Sequence, residues 1–127
     1  MISFLLVFFG GGLGASFRHG VNLAAARVAG VDFPWGTLIV NVSGSLLMGL
    51  LAGYLAFRGG AWMTQHARLF LATGVLGGYT TFSAFSLDGV LLFQRGATGQ
   101  AVTYILGSVL LSILGLFAGL WLVRALT

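Results

Sequence analysis

Gly74-Val75-Leu76-Gly77-Gly78-Tyr79-Thr80-Thr81-Phe82-Ser83 sits near the middle of an apolar stretch running from Leu69 to Phe93, where a plain spanning helix would carry Leu, Ile or Val. Its glycines weaken helix propensity and offer the backbone positive-φ conformations. The paired threonines supply hydroxyls for whatever backbone groups a break releases. Non-helical backbone survives at membrane depth only inside protein or against a water-filled cavity. The stretch therefore predicts a third helix broken mid-membrane, at an ion or substrate site.

Composition supplies the setting for that break. Over 127 residues, 58% are hydrophobic and only 6% charged, with mean hydropathy +1.04. A water-soluble core is excluded, and the class is an all-α membrane protein of a single domain, residues 1–127. Apolar stretches at about 2–28, 34–57, 69–93 and 97–123 are each long enough to cross hydrocarbon about 30 Å thick. The first is too long and too glycine-rich to read as a cleaved leader. Pro34 suits the first position of the second helix. Arg58-Gly59-Gly60 opens the longest loop, and Gln94-Arg95-Gly96 makes the last turn. Trp35, Trp62 and Trp121 are placed to sit at membrane interfaces. Without cysteine, disulfides and thiolate metal sites are excluded. His19 and His66 each lack a second ligand at metal spacing.

The net charge of +4 comes from arginines scattered singly, which form no basic patch and do not point to nucleic acid. With alternating loops on opposite sides, Arg58, Arg68 and Arg124 share one side. Arg27 and Arg95 take the other, joined by Arg18 if it reaches out; helix-end placement is expected for Arg18. The positive-inside bias thus nearly vanishes, which allows insertion in either orientation. An antiparallel homodimer of dual topology is the assembly expected, since eight helices about a two-fold axis can line a pore that four cannot easily enclose.

Gly10 and Gly14, Gly49 and Gly53, and Gly115 and Gly119 carry the spacing that brings helix backbones together. Asn41 and Ser45 share a face of the second helix. An amide in hydrocarbon must find partners, either an interhelical hydrogen bond or an ion. Tyr104, Ser108 and Ser112 fall four apart on the fourth helix. Their hydroxyls can line an anion path or bond back to the preceding turn. Phe82 and Phe85 share a face after the break, as packed core or as ring edges turned toward an anion. Asp88 is expected near an interface, with hydration or Arg95 to meet its charge.

The string Gly74-x-x-Gly77-Gly78-Tyr79-Thr80-Thr81-Phe82-Ser83-Ala84-Phe85-Ser86 resembles the signature of the CrcB/Fluc fluoride channel family. Gly36-Thr37-Leu38-Ile39-Val40-Asn41-Val42-Ser43-Gly44-Ser45 looks like its Asn-bearing segment, and Gly11-Gly12-x-Gly14-Ala15-x-x-Arg18 like its start. His19 and Tyr79 depart from the residues usual there. The resemblance covers the whole chain and implies a passive fluoride channel in the cell (inner or plasma) membrane, not an enzyme. It implies an antiparallel dimer in the lipid bilayer with a central structural sodium ion, not itself transported. The matching sodium ligands are the backbone carbonyls of Gly77 and Thr80. The matching ion pathway is Asn41, Phe82, Phe85, Tyr104, Ser108 and Ser112, with Thr81 beside them.

Two other classes fit part of the sequence. A proton-coupled small multidrug exporter of dual topology needs a membrane carboxylate, for which Asp88 is the one candidate. A non-transporting assembly subunit would account for the glycine packing but not for the break, the Asn and the hydroxyl row together.

Overall fold

The computed structural model describes residues 1–57 and 65–127. The loop expected at Arg58-Gly59-Gly60 and the placement of Trp62 lie outside the described residues. Among the described residues the chain is all-helical. Helix α1 covers Ile2–Ala29, α2 covers Trp35–Phe57, α3 covers Gln65–Arg68, and α4 covers Gly77–Tyr79. Helix α5 covers Phe82–Gln94 and α6 covers Thr98–Ala125. Between α3 and α4 the chain is wound as a π-helix over Leu69–Leu76. Spans Ile2–Ala29, Trp35–Phe57, Gln65–Gln94 and Thr98–Ala125 are long and apolar enough to cross a membrane.

The ends follow local chemistry. Gly30 adopts φ 81° and its N–H returns to the Ala26 carbonyl, a conformation that costs glycine little, so α1 stops there. Gly96, at φ 84°, makes the turn after α5. Helix α2 begins at Trp35, one residue later than Pro34 was expected to start it. The Pro34 carbonyl accepts from Leu38 N–H at 3.3 Å, so the proline caps the helix from outside. The third span begins earlier than expected, because Gln65, His66 and Arg68 wind helically ahead of the apolar run.

Glycine-lined contacts hold the spans together. Helix α1 packs along the π-helical run, and α2 along α6. A Cβ on Gly10 would come within 2.7 Å of the Phe70 carbonyl oxygen, and one on Gly14 within 2.7 Å of Tyr79 N. On α6, a Cβ at Gly119 would come within 2.5 Å of the Leu46 carbonyl oxygen and 2.6 Å of Leu50 N. Backbone rather than side chain fills those spaces, and dispersion rather than burial from water holds helices so joined in hydrocarbon. Gly74 and Gly78 are used likewise, against Gly10 and Gly11. Here the expectation of positive φ in the interrupted segment fails. Gly77 is right-handed helical at φ −63°, and the only positive-φ glycines among the described residues are Gly30 and Gly96.

A small aromatic core closes one end, where Phe85, Leu92, Ala101 and Tyr104 pack with Phe33, Leu38 and Ala97. Elsewhere large apolar side chains point outward; Phe4, Phe8 and Leu114 are among them. A surface of this kind suits hydrocarbon, and the chain is a multi-pass membrane protein.

Candidate functional site

Thr80 and Thr81 separate α4 from α5 with extended backbone, at φ −78°, ψ 158° and φ −152°, ψ 122°. Extended residues between helices release hydrogen-bonding groups, and several of them find identifiable partners. The Thr81 N–H donates to Asn41 Oδ1 at 2.8 Å, while Asn41 Nδ2 donates to the Thr81 carbonyl at 3.0 Å. One side-chain amide thus satisfies both polar groups of a residue on the third span. Thr81 Oγ1 in turn caps α5 by accepting from Ala84 N–H at 3.2 Å. Thr80 N–H and Thr80 Oγ1 both donate to the Leu76 carbonyl, at 3.1 Å and 3.0 Å.

The carbonyls tell the complementary story. In a continuous α-helix Thr81 N–H would donate to Gly77 O and Ala84 N–H to Thr80 O. Both donors are diverted, one to Asn41 and the other to the Thr81 hydroxyl. The Gly77 and Thr80 carbonyls therefore lose the partners that α winding would give them. Thr80 O accepts instead from Arg18 Nη1 at a long 3.4 Å, which leaves its second lone pair open.

Beside the extended pair lies a mostly apolar cavity of about 330 Å³ between α2, α5 and α6. Asn41, Thr81, Phe82, Phe85, Ser108 and Ser112 line it, together with Ser45 and Thr80. Ser108 is buried, and its Oγ has no hydrogen-bond partner among the described residues. A buried hydroxyl left unpaired costs about 1–3 kcal/mol, so one beside a cavity is suited to a ligand that can accept its proton. The two phenylalanines part company. Phe85 is 9% exposed within the aromatic core, whereas Phe82 is 78% exposed on the outer face, their ring centroids 5.5 Å apart and steeply inclined.

Tyr104 does not join this cavity, although it shares the α6 stripe with both serines. It is buried between Phe33 and Phe85, and its hydroxyl donates to Asp88 Oδ2 at 3.2 Å. Tyr104 is thus the contact made by Asp88. Arg95, expected to meet that charge, donates to the Asp32 carbonyl and to Gln100 Oε1. Arg18 also departs from expectation. It lies well inside α1, which continues to Ala29, and its guanidinium reaches the extended pair. Gly77 stands exposed outside the cavity lining. Among the described residues, no group of His, Cys, Asp or Glu is placed to hold a metal ion.

A further tie escaped sequence reasoning. The Tyr79 hydroxyl hydrogen-bonds Ser43 Oγ at 3.0 Å, joining α4 to α2 two residues from the Asn41 clamp. Its only sequence signal is a phenol inside an apolar run. Tyr79→Phe is expected to lower stability by about 1 kcal/mol, and Tyr79→Phe on a Ser43→Ala background to add almost nothing. Thermal unfolding of the four proteins in detergent checks the coupling.

Comparison with known proteins gives concordant matches. Residues 5–120 match the family described as CrcB-like protein, Camphor Resistance (CrcB). A Rhodopseudomonas palustris protein named "Fluoride-specific ion channel FluC" is 64% identical over 126 residues, covering 99% of this chain and 100% of that one. Nitrobacter hamburgensis "Fluoride-specific ion channel FluC 2" is 64% identical with the same coverage. The Hyphomonas neptunium protein of the first name is 57% identical over 125 residues, 98% of this chain and 97% of its own.

Proposed function

The chain belongs to the CrcB family, and on that premise we propose that it is a fluoride-selective channel through which fluoride leaves the cell passively, lowering cytoplasmic fluoride without ATP. It is a multi-pass cell-membrane protein and not an enzyme. The observation that carries the reading is the buried, partnerless Ser108 hydroxyl beside a cavity that also takes in Asn41, Ser112 and both phenylalanines.

Fluoride is small and strongly hydrated, so a pore must replace part of its water shell with donors while staying too narrow for larger halides. Asn41 Nδ2 carries two N–H groups, and only one is engaged by Thr81 O. The second, with the Ser108 and Ser112 hydroxyls, gives a row of neutral donors, each too weak to trap the ion. The Phe82 and Phe85 ring edges carry partial positive charge and add to that row. Tyr104 would act from the far end of the stripe, through the Asp88 contact. We read Thr80 and Thr81 as a break at membrane depth, sheltered by α2 and by this cavity.

The antiparallel homodimer is supported by the arginine balance and by the exposure of Phe82 and Gly77, which suit a face completed by a second copy. The chain's residues fit a sodium ion there. Gly77 and Thr80 offer carbonyl oxygens freed from their helical donors, and hard oxygens are the chemistry a hard monovalent cation takes. Two carbonyls per chain leave a coordination shell incomplete, and a two-fold partner would contribute the same pair. When bound, such an ion supplies a fixed positive charge that favours anion entry.

Proteoliposome flux tests the function. Fluoride efflux far exceeding chloride, with no transport of a quaternary-ammonium drug, is the expected result; drug transport coupled to protons would replace the channel with an exporter. Topology has its own test. Carboxyl-terminal reporter fusions should appear on both sides of the membrane, and Gln65→Lys with Thr127→Lys should bias insertion one way. Such a biased form should lose flux until an oppositely biased partner is coexpressed; full flux from one orientation alone would remove the antiparallel dimer.

A further inference from the structure

We propose that Asn41 is the positioning residue of the cation site: by taking the Thr81 N–H, its side-chain amide keeps the Gly77 carbonyl free to face a cation. The inference rests on the sodium reading above and deepens it, because it assigns to a side chain on another helix the exposure of a backbone ligand.

The geometry is specific. Asn41 Oδ1 accepts from Thr81 N at 2.8 Å and Asn41 Nδ2 donates to Thr81 O at 3.0 Å, so two bonds of opposite sense grip one residue. This is the exchange that paired strands make, performed by a side chain, and it suits the extended dihedrals of Thr81. Helix α2 holds Asn41 at this range through Gly44, where a Cβ would strike the Thr80 side chain and lie 3.2 Å from the Tyr79 ring. Without an acceptor from α2, the Thr81 N–H has one alternative close in sequence, the Gly77 carbonyl four residues back. Taking it would wind α4 onward and engage the oxygen. At membrane depth an unpaired N–H is costly, so without Asn41 the Gly77 carbonyl is the acceptor that continued winding offers it. The Thr81 hydroxyl draws Ala84 N–H off Thr80 O in the same way, so each proposed ligand is freed of its helical donor by one identifiable acceptor, Thr80 O still taking the long bond from Arg18.

Asn41→Asp and Asn41→Leu separate this role from donation to an anion. Aspartate keeps an oxygen for the Thr81 N–H but loses the amide donor, whereas leucine keeps neither. Unfolding midpoints of the full-length protein in detergent, measured against sodium chloride at ionic strength held constant with N-methylglucamine chloride, report sodium binding by linkage. The wild type should rise with sodium. Asn41→Asp should retain that rise, and Asn41→Leu should need about 10- to 100-fold more sodium for half the effect, as when a group that orients a metal ligand is lost. A merely structural Asn41 would lower the midpoint of Asn41→Leu at every concentration and leave the half-saturating sodium unchanged; that result overturns the inference alone. A wild type indifferent to sodium overturns the sodium reading and the inference with it. Should Asn41→Leu not fold, Asn41→Asp decides, because loss of the sodium response in folded Asn41→Asp is incompatible with the acceptor role.

Discussion

Gly119→Val should yield almost no folded protein. The first atom of any side chain there would lie 2.5 Å from the Leu46 carbonyl oxygen and 2.6 Å from Leu50 N, both in the α2 backbone. No rotamer relieves a clash with backbone, so α2 and α6 must separate, and theirs is the most extensive helix contact among the described residues. The cost should reach about 3 kcal/mol or more, the upper range for overpacking, because the branched side chain forces a whole helix to shift. Gly14→Val, aimed at the Val75 and Tyr79 backbone, should behave alike. Gly107→Ala is the control on the same helix as Gly119, since nothing lies within 4 Å of its added carbon. It should be neutral or slightly stabilising, alanine being the better helix former. Size-exclusion profiles and unfolding midpoints check all three, and a Gly119→Val protein with a wild-type midpoint would contradict the α2–α6 approach.

The glycines also mark where the sequence stops being legible. Apolar run length located all four spans, because hydrocarbon thickness fixes how many residues a crossing helix needs. The letter G, however, serves two physical purposes. Gly74, Gly77 and Gly78 suggested positive φ, yet Gly74 and Gly78 serve close approach to α1, while positive φ is used at Gly30 and Gly96, outside the spans. Only the position of a neighbouring backbone separates the two uses, and that is a tertiary fact. Four-residue spacing likewise put Tyr104 on one stripe with Ser108 and Ser112 but carried no information about depth along the helix. Phe33 and Phe85 enclose Tyr104 at the aromatic end, while the serines are among the residues around the cavity. For Asn41 the sequence left an interhelical bond and an ion contact as alternatives. The amide makes the bond with one N–H and leaves the other, so geometry does not force a choice between them. Arg18 was misplaced because a charge in an apolar helix reads as an end, whereas a released carbonyl from another helix receives it at mid-span.

Asn41→Asp should lower fluoride flux more than any other single change to the cavity. It replaces an amide donor with a fixed negative charge in the mostly apolar cavity that the Phe82 and Phe85 rings also line. Two like charges about 4 Å apart at an effective dielectric constant of about 20 repel by about 4 kcal/mol, enough to slow passage by up to roughly a thousandfold. Phe82→Ile supplies the milder comparison. Its ring is 78% exposed in the single chain, so removing it should leave the fold intact. The loss of a favourable ring edge, worth about 1 kcal/mol, should reduce flux by about fivefold to tenfold. Phe85→Ile cannot be read so simply, because that ring also packs against Tyr104, and its flux must be normalised to folded protein. Liposome efflux recorded with a fluoride electrode, alongside dimer content on size exclusion, measures both quantities in each variant. If Asn41→Asp dimers passed fluoride at the wild-type rate, the ion could not travel past the cavity that Asn41 lines, and the pathway would have to be sought elsewhere in the bundle.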